Sequence, residues 1–435
     1  MTISSSLSAG VAGLNANATR LATISDNIAN SGTYGYKRAS AEFSNVVVSS
    51  TRGASTYSAG GVRASTLRLI EERGDLVGTG NALDLAIAGR GMFPVIPLVS
   101  IDNPISDTPM TMTRTGSFRT DADGVLRTES GLVLLGWPAD ADGTIPPFPR
   151  DTTAGLVPIV ISPNQTASDP TTEMNLGVNL PATYTEAGST SVPPPLSVEY
   201  FGNLGTSESL EVTFIPVVPM AGSSNQWTME VRDSASGGAL IGEYTLTFDD
   251  TRGAGGTLAS VTVVSGGAYD VADGTLALTV AGGPMTVGIG RLGDPNGLTQ
   301  LSDSFAPVSI SKNGSPVGNL TTIEVDENGF VNATYDTGFT RRLFQVPIVD
   351  VPNPNGLDSM SNQSYQVSLD SGSFYLWDAG SGATGSIQGY SREGSKTDVA
   401  AELTNLIQTQ RAYSSNAKVI QTVDEMLQET TNIKR

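Results

Sequence analysis

The sequence predicts a mainly β protein with an α-helix at each end, and three observations carry that prediction. All 24 prolines fall between Pro94 and Pro354, so both ends of the 435-residue chain are free of them. Each proline-free end repeats apolar residues every seven positions. Between them, apolar and polar residues alternate in short runs separated by glycine-rich turns. A seven-residue recurrence places residues on one side of a helix turning every 3.6 residues, whereas strict alternation places them on one face of a strand.

At the N-terminus Leu7, Leu14, Leu21 and Ile28 keep the seven-residue spacing, with Ile3 and Ile24 at the companion spacing. Near the C-terminus Val399, Leu406, Tyr413, Ile420 and Leu427 do the same, with Leu403 beside them. At ~1.5 Å per residue these helices would be about 40 and 50 Å long. Gly10, Asn17, Gln410 and Asp424 interrupt the seams. Periodicity alone leaves two arrangements open: imperfect coiled-coil strands, or amphipathic helices lying on their own globular body.

In the interior, Leu210-Val212-Phe214, Trp227-Met229-Val231, Leu246-Phe248, Val261-Val263 and Leu276-Leu278-Val280 alternate as half-buried strands. Ser236-Gly237-Gly238, Gly253 to Gly256 and Gly266-Gly267 read as the turns between them, giving a sandwich or barrel. Thr183 to Pro195, with its triple proline, reads as a linker or exposed loop, and residues 40–65 as an extended connector.

Composition removes whole classes of chemistry. With no cysteine and no histidine there is no thiol nucleophile, disulfide, Cys/His zinc site or imidazole base. The net charge is −19 and there are only five lysines, which argues against the clustered cations a nucleic-acid surface needs. Residues 1–50 carry +1 and 391–435 balance at zero, so the acidity belongs to the middle. No apolar run approaches the ~20 residues that span a bilayer. The N-terminus, Met1 to Ser6, lacks a basic region and a cleavage site, so a soluble chain without a conventional signal peptide is expected.

Three motifs invite a site and fail on chemistry. Asp121-Ala122-Asp123-Gly124 and Asp140-Ala141-Asp142-Gly143 resemble calcium-loop fragments, but the register puts Arg119 or Pro138 first and Ser130 or Pro149 twelfth, where oxygen ligands are required. They read as hairpin turns. Gly288-Ile289-Gly290-Arg291-Leu292-Gly293 fits G-x-G-x-x-G, yet the turn sequence Asp294-Pro295-Asn296-Gly297 follows where a phosphate site needs a helix. Glu71-Glu72 and Asp249-Asp250 are adjacent acids, which on a strand face opposite ways. No catalytic, metal or cofactor site is expected.

The N-terminal heptads run into Asn27-Ile28-Ala29-Asn30-Ser31-Gly32-Thr33-Tyr34-Gly35-Tyr36-Lys37. This string resembles the Asn-aromatic-Lys signature after the first helix of bacterial flagellar rod and hook proteins, with Asn27, Asn30, Gly35, Tyr36 and Lys37 carrying the match. Gly80 to Ile87, Gly116-Ser117-Phe118, Gly136-Trp137-Pro138, Val331 to Tyr335 and Asn353 to Leu357 keep that family's order. Leu403 to Tyr413 and Asp424 to Leu427 resemble its C-terminal helix. Ser395-Lys396-Thr397-Asp398, Ala82 and Met92-Phe93-Pro94 depart from its pattern. Roughly 150 β-rich residues between the halves resemble the hook-type members rather than the distal-rod type, which remains the alternative. A secreted carbohydrate-binding or carbohydrate-active β-sandwich is a more distant one.

The resemblance implies a structural, non-enzymatic subunit whose terminal helices form an inner coiled-coil domain, 1–38 with 395–435. It implies a connector at 39–69, an inner β-rich body at 70–148 and 305–394, and an outer β domain at 149–304. It further implies a homopolymer forming a helical tube outside the cell, in the hook of the bacterial flagellum. Export would run through the type III apparatus, and the partners would be rod, hook-cap and hook–filament junction proteins, with no nucleic acid and no membrane insertion.

Overall fold

The computed structural model describes residues 3–46, 59–103, 109–140, 142–162 and 166–433. Helix α1 spans Ile3–Ala29 and helix α2 spans Val399–Ile433, and β-strands fill most of the interval between them. The choice that periodicity left open is resolved, because the two helices pack against each other. The chain divides into two compact units, one formed by residues 1–163, 323–333 and 341–435, the other by 164–322 and 334–340.

In the first unit, strands Ala39–Asn45 and Val62–Arg68 pair antiparallel from Ala39↔Arg68 to Asn45↔Val62 and lie against α1. The flanks of the expected connector are thus a two-stranded ribbon, and its centre, 47–58, lies outside the described residues. The body interleaves the outgoing and returning halves of the chain. Phe93–Pro97 pairs with Thr111–Thr113 and Leu132–Pro138, and Thr111–Thr113 pairs in turn with the returning Ser364–Gln366. Asp84–Ala88 pairs with Thr115–Thr120 on one side and with the returning Ser386–Gln388 on the other. Met92, Ile96, Val133, Trp137, Val349 and Leu376 meet in its core, so neither half closes that core alone.

Two family-like motifs converge on one carboxylate here. Asp84 accepts from Ser117 Oγ at 2.6 Å and from Asn81 Nδ2 at 2.8 Å, joining the Gly80 to Ile87 and Gly116-Ser117-Phe118 segments. Burial pushes its carboxyl up, but these donors and Thr79 more than offset that and hold it below the usual range. The Asp-Gly motifs form tight turns: Gly124 N donates to Asp121 O and Gly143 N to Asp140 O, with both glycines at positive φ.

The second unit is a sandwich of two sheets. One is an antiparallel meander of Leu196–Phe201, Ser207–Pro216, Gln226–Asp233, Ala239–Phe248 and Leu258–Ser265. The other is built on Glu173–Leu180, which pairs parallel with Gly283–Gly288 and antiparallel with Ala306–Lys312. The alternating residues Val212, Phe214, Trp227, Met229, Leu246 and Leu278 are buried between them. Val263 departs from that pattern at 40% exposure because Leu258–Ser265 is the last strand of the meander. Thr183 to Pro195 is partly a plug as well as a loop, with Thr185 fully buried and the Tyr184 ring 6.5 Å from that of Trp227. After Gly288–Gly293 the chain makes turns and no helix, so no helix N-terminus faces those glycines.

Asp233 pins this unit. It is fully buried, accepts from Tyr200 OH at 2.6 Å and Ser236 Oγ at 2.7 Å, and takes the Ala281 amide at 3.0 Å. Replacing Tyr200 by Phe removes one buried donor and should destabilise the unit by about 1–3 kcal/mol. Urea unfolding followed by fluorescence of Trp227, buried in the same core, measures the loss; an unchanged midpoint would count against this role for the pair.

Candidate functional site at the root of the helical pair

The signature string ends α1 and turns the chain. Asn30 N and Nδ2 both donate to Asp26 O, and Ser31 N and Oγ both donate to Ile28 O, so side chains reinforce the last backbone bonds of the stopping helix. Gly35 follows at φ +71, and a Cβ there would lie 2.8 Å from Thr115 Cγ2. Its amide donates to Glu393 O at 2.7 Å. Asn27, only 1% exposed, donates to Ala39 O at 2.9 Å and accepts from Ala39 N at 2.8 Å, which clamps the start of the ribbon to the helix. Tyr36 OH donates to Asp26 Oδ2 at 2.9 Å, and its ring lies under Arg68, whose Cζ is 5.3 Å from the centroid. Burial, with Asp26 beside it, pushes the Tyr36 hydroxyl well above the ordinary phenol range.

The signature lysine has an acidic partner at the far end of the chain. Lys37 Nζ, fully buried, donates to Glu393 Oε1 at 2.6 Å, and Arg114 Nε donates to Glu393 Oε2 at 2.9 Å. Gly74 N also donates to Oε1 at 2.8 Å, and Glu393 N donates to Thr115 Oγ1 at 3.1 Å. Gly74 is required by this approach, since a Cβ on it would stand 2.0 Å from Gly394 O. Arg114 also donates to Gly91 O at 2.8 Å, Gly89 O at 2.9 Å and Ile87 O at 3.4 Å. Burial pushes the Glu393 carboxyl up, yet Arg114 and Lys37 more than offset this and hold it below its usual value. Burial pulls the Lys37 amine below its usual value against the attraction of Glu393.

Glu402, 4% exposed in the first turn of α2, accepts from Asn27 Nδ2 at 3.1 Å, which ties the two helices at their base. Arg38 makes a two-point pair with Glu72 at 2.7 and 3.0 Å, so Glu72 acts as a counter-ion. Asp398 Oδ1 accepts from Ala400 N at 2.9 Å and Ala401 N at 3.2 Å. Asp398 therefore caps the start of α2, and the departures at Lys396 and Thr397 leave that cap in place.

Above the base, the tight face of the pair differs from the apolar seam. Gly10, Gly13, Ala16, Asn17 and Ile24 are buried on α1, and a Cβ on Gly10 would lie 3.1 Å from Ile420 Cγ1. On α2 the inward row is Glu402, Thr409, Asn416 and Val423, spaced by seven but mostly polar. Thus Gly10 is a contact residue rather than an interruption, because its missing side chain lets the helices come close, while Asn17 is buried and donates Nδ2 to Gly13 O at 2.8 Å. Of the seam positions, Ile24 is buried, and Leu7, Leu14, Leu21, Ile28, Leu406 and Ile420 are half-buried. Val399, Leu403, Tyr413 and Leu427 are exposed, and the Ile3 side chain lies outside the described residues. Asn27, Gly35, Tyr36 and Lys37 are buried together at the root, with Asn30 half-buried beside them.

Elsewhere in this unit, an open groove of about 590 Å³ is lined by Trp137, Arg150, Phe330, Arg342 and Asp378. Trp137 is only 1% exposed, stacked on Phe148 with Arg150 Cζ 4.5 Å from its ring, so it presents no flat face to a sugar.

A helix from each end of the chain is thus rooted on one β body. Residues 7–37 match the family described as flagella basal body rod protein, and residues 387–433 match the C-terminal family of the flagellar basal body rod FlgEFG proteins. The flagellar hook protein FlgE of Rhizobium meliloti is 32% identical over 438 residues, covering 100% of both chains. Those of Brucella suis and Caulobacter vibrioides are 32% and 27% identical, covering 98% and 100% of this chain and of their own. The Helicobacter pylori hook protein FlgE2 structure aligns at a TM-score of 0.45 with 14% identity, over 72% of this chain and 99% of its own. The chain belongs to the flagellar hook protein family.

Two outcomes test the root. Glu393→Gln leaves Lys37 and Arg114 buried without their counter-charge and should cost about 3–5 kcal/mol at neutral pH, measured by denaturant unfolding. Because the folded Glu393 carboxyl lies below its unfolded value, its stabilisation is complete above the ordinary carboxylate range and is lost as pH falls through the folded value. The gap between parent and variant should therefore close in acid; a gap independent of pH would contradict the assignment. Asp398→Ala should cost about 1 kcal/mol through the lost cap, read as a lower melting temperature in the helical circular dichroism signal.

Proposed function

We propose that this chain is a structural subunit that polymerises into the curved, flexible tube of the flagellar hook, a universal joint carrying torque from rod to filament. The observation that carries this reading is the set of uncovered apolar side chains on α2, outside its contact with α1. Leu403 is 47% exposed, Ile407 51%, Tyr413 44%, Val419 46% and Met426 50%, on a helix whose tight contact with α1 is made largely by polar and small residues. Burial of those side chains requires other copies, and hydrophobic area removed from water is what drives association.

In this reading 1–38 and 395–435 form the inner helical domain, the β-rich remainder of the first unit the inner body, and the second unit, 164–322 with 334–340, the outer domain, so that Ala306–Lys312 goes with the outer domain rather than with an inner body beginning at 305. The outer domains touch through weak polar contacts that slide as the tube bends, which suits an acidic middle. The subunit is exported through the type III apparatus without a cleaved signal and meets rod, hook-cap and junction proteins at the tube's ends. It carries no catalytic activity, in keeping with a sequence that lacks thiol and imidazole.

Electron microscopy of concentrated purified protein should show curved tubes; straight rods would favour a distal-rod subunit, and single particles at every concentration would sink the reading. Deleting 1–30 or 400–435 should leave a folded β body that forms no tubes, so normal tubes from either truncation would contradict it.

A further inference from the structure

We propose that Lys37, Glu393 and Arg114 form a latch fixing the direction in which the paired terminal helices leave the β body, and that this direction sets how copies register in the tube. The proposal rests on the reading of the chain as a tube subunit. Four separate passes of the chain meet at Glu393. The segment leaving α1 reaches it through Lys37 Nζ and Gly35 N, and the strand region entering the body through Gly74 N. The body holds it through Arg114 and Thr115, and the segment returning to α2 carries it.

The body side of this joint is stiff. Arg114 is held between Gly89 O and Gly91 O, and those glycines adopt φ +145 and +116 to bring their carbonyls to it. A carboxylate accepts along a few directions, so Lys37 and Arg114 engage opposite oxygens only when helix root and body keep one mutual orientation. Small errors at this point are amplified. Helix α1 has 27 residues. At ~1.5 Å per residue its far end lies about 40 Å from the root, so a tilt of roughly 5° displaces it by about 3–4 Å. That is a large fraction of the ~8–10 Å that separates packed helices, enough to open an apolar contact with a neighbouring copy. The outer pair Arg38–Glu72, with both side chains 35% exposed, is a weaker strut at the same root.

Lys37→Met in the full chain separates latch from stability, because it leaves Glu393 paired with Arg114 and no buried charge alone. In the unassembled protein the amides of 35–39 and 394–398 should exchange at least tenfold faster, while those of Leu132–Pro138 keep the parent's rate. The variant should form no tubes, or tubes with a visibly broader spread of curvature. Arg38→Ala should change exchange at the root by less than threefold. Unchanged exchange at the root, equal acceleration throughout the body, or tubes indistinguishable from the parent's would each overturn the latch. Failure of the parent itself to form tubes would instead remove the tube reading, and the exchange comparison still decides whether Lys37 holds the root.

Discussion

The carboxylate of Glu393 lies buried between a lysine from the first tenth of the chain and an arginine from the body, and the rest of the first unit is arranged around keeping it there. Desolvating three charges is costly, and such a cluster persists only where every partner is in place. Gly35, Gly74, Thr115 and the carbonyls of Glu72, Ile87, Gly89 and Gly91 supply the remaining bonds. Because those groups come from distant parts of the sequence, the cluster couples the end of α1, the start of the body and the approach to α2 in one geometry. Replacing it with apolar residues could match its stability, but not its directionality.

From that root the helices rise as a pair whose contact trades apolar burial for closeness. Glycines on α1 meet asparagine and isoleucine on α2, and most of the larger apolar residues of α2 lie outside that contact. A well-filled two-helix seam would satisfy itself and leave nothing for a neighbour. Here the side chains that could drive association stay outside the intramolecular contact, on a rod whose base is rigidly held. The sandwich of the second unit has a different economy. Its core closes on itself around Trp227 and Phe214 and is locked by the buried Tyr200–Asp233 bond, so its surface is free to be acidic and polar.

Much of this was legible in the sequence. Alternation located the strands around Val212, Trp227 and Leu278, and the seven-residue recurrence located both helices, because period follows directly from backbone geometry. The eleven-residue string from Asn27 to Lys37 marked the root, although not its reason. Glu393, Arg114, Glu402 and Asp398 gave no signal: each is an ordinary charged residue in a chain with 67 of them, and nothing local distinguishes a buried acid from a solvated one. The inward row of α2 was hidden in plain spacing, since Glu402, Thr409, Asn416 and Val423 recur every seven residues but are not uniformly apolar.

By itself the sequence determined element type, the acidic middle, the absence of thiol and imidazole chemistry and the ends reserved for helices, all properties of composition and local period. Only the tertiary structure decided which face of each helix is the tight one, and that the outgoing and returning halves share a single sheet. It alone brought residues 37, 114 and 393 together. Contact between residues hundreds of positions apart depends on how the intervening chain closes, and a buried charge reveals its role only once its counter-charge stands beside it.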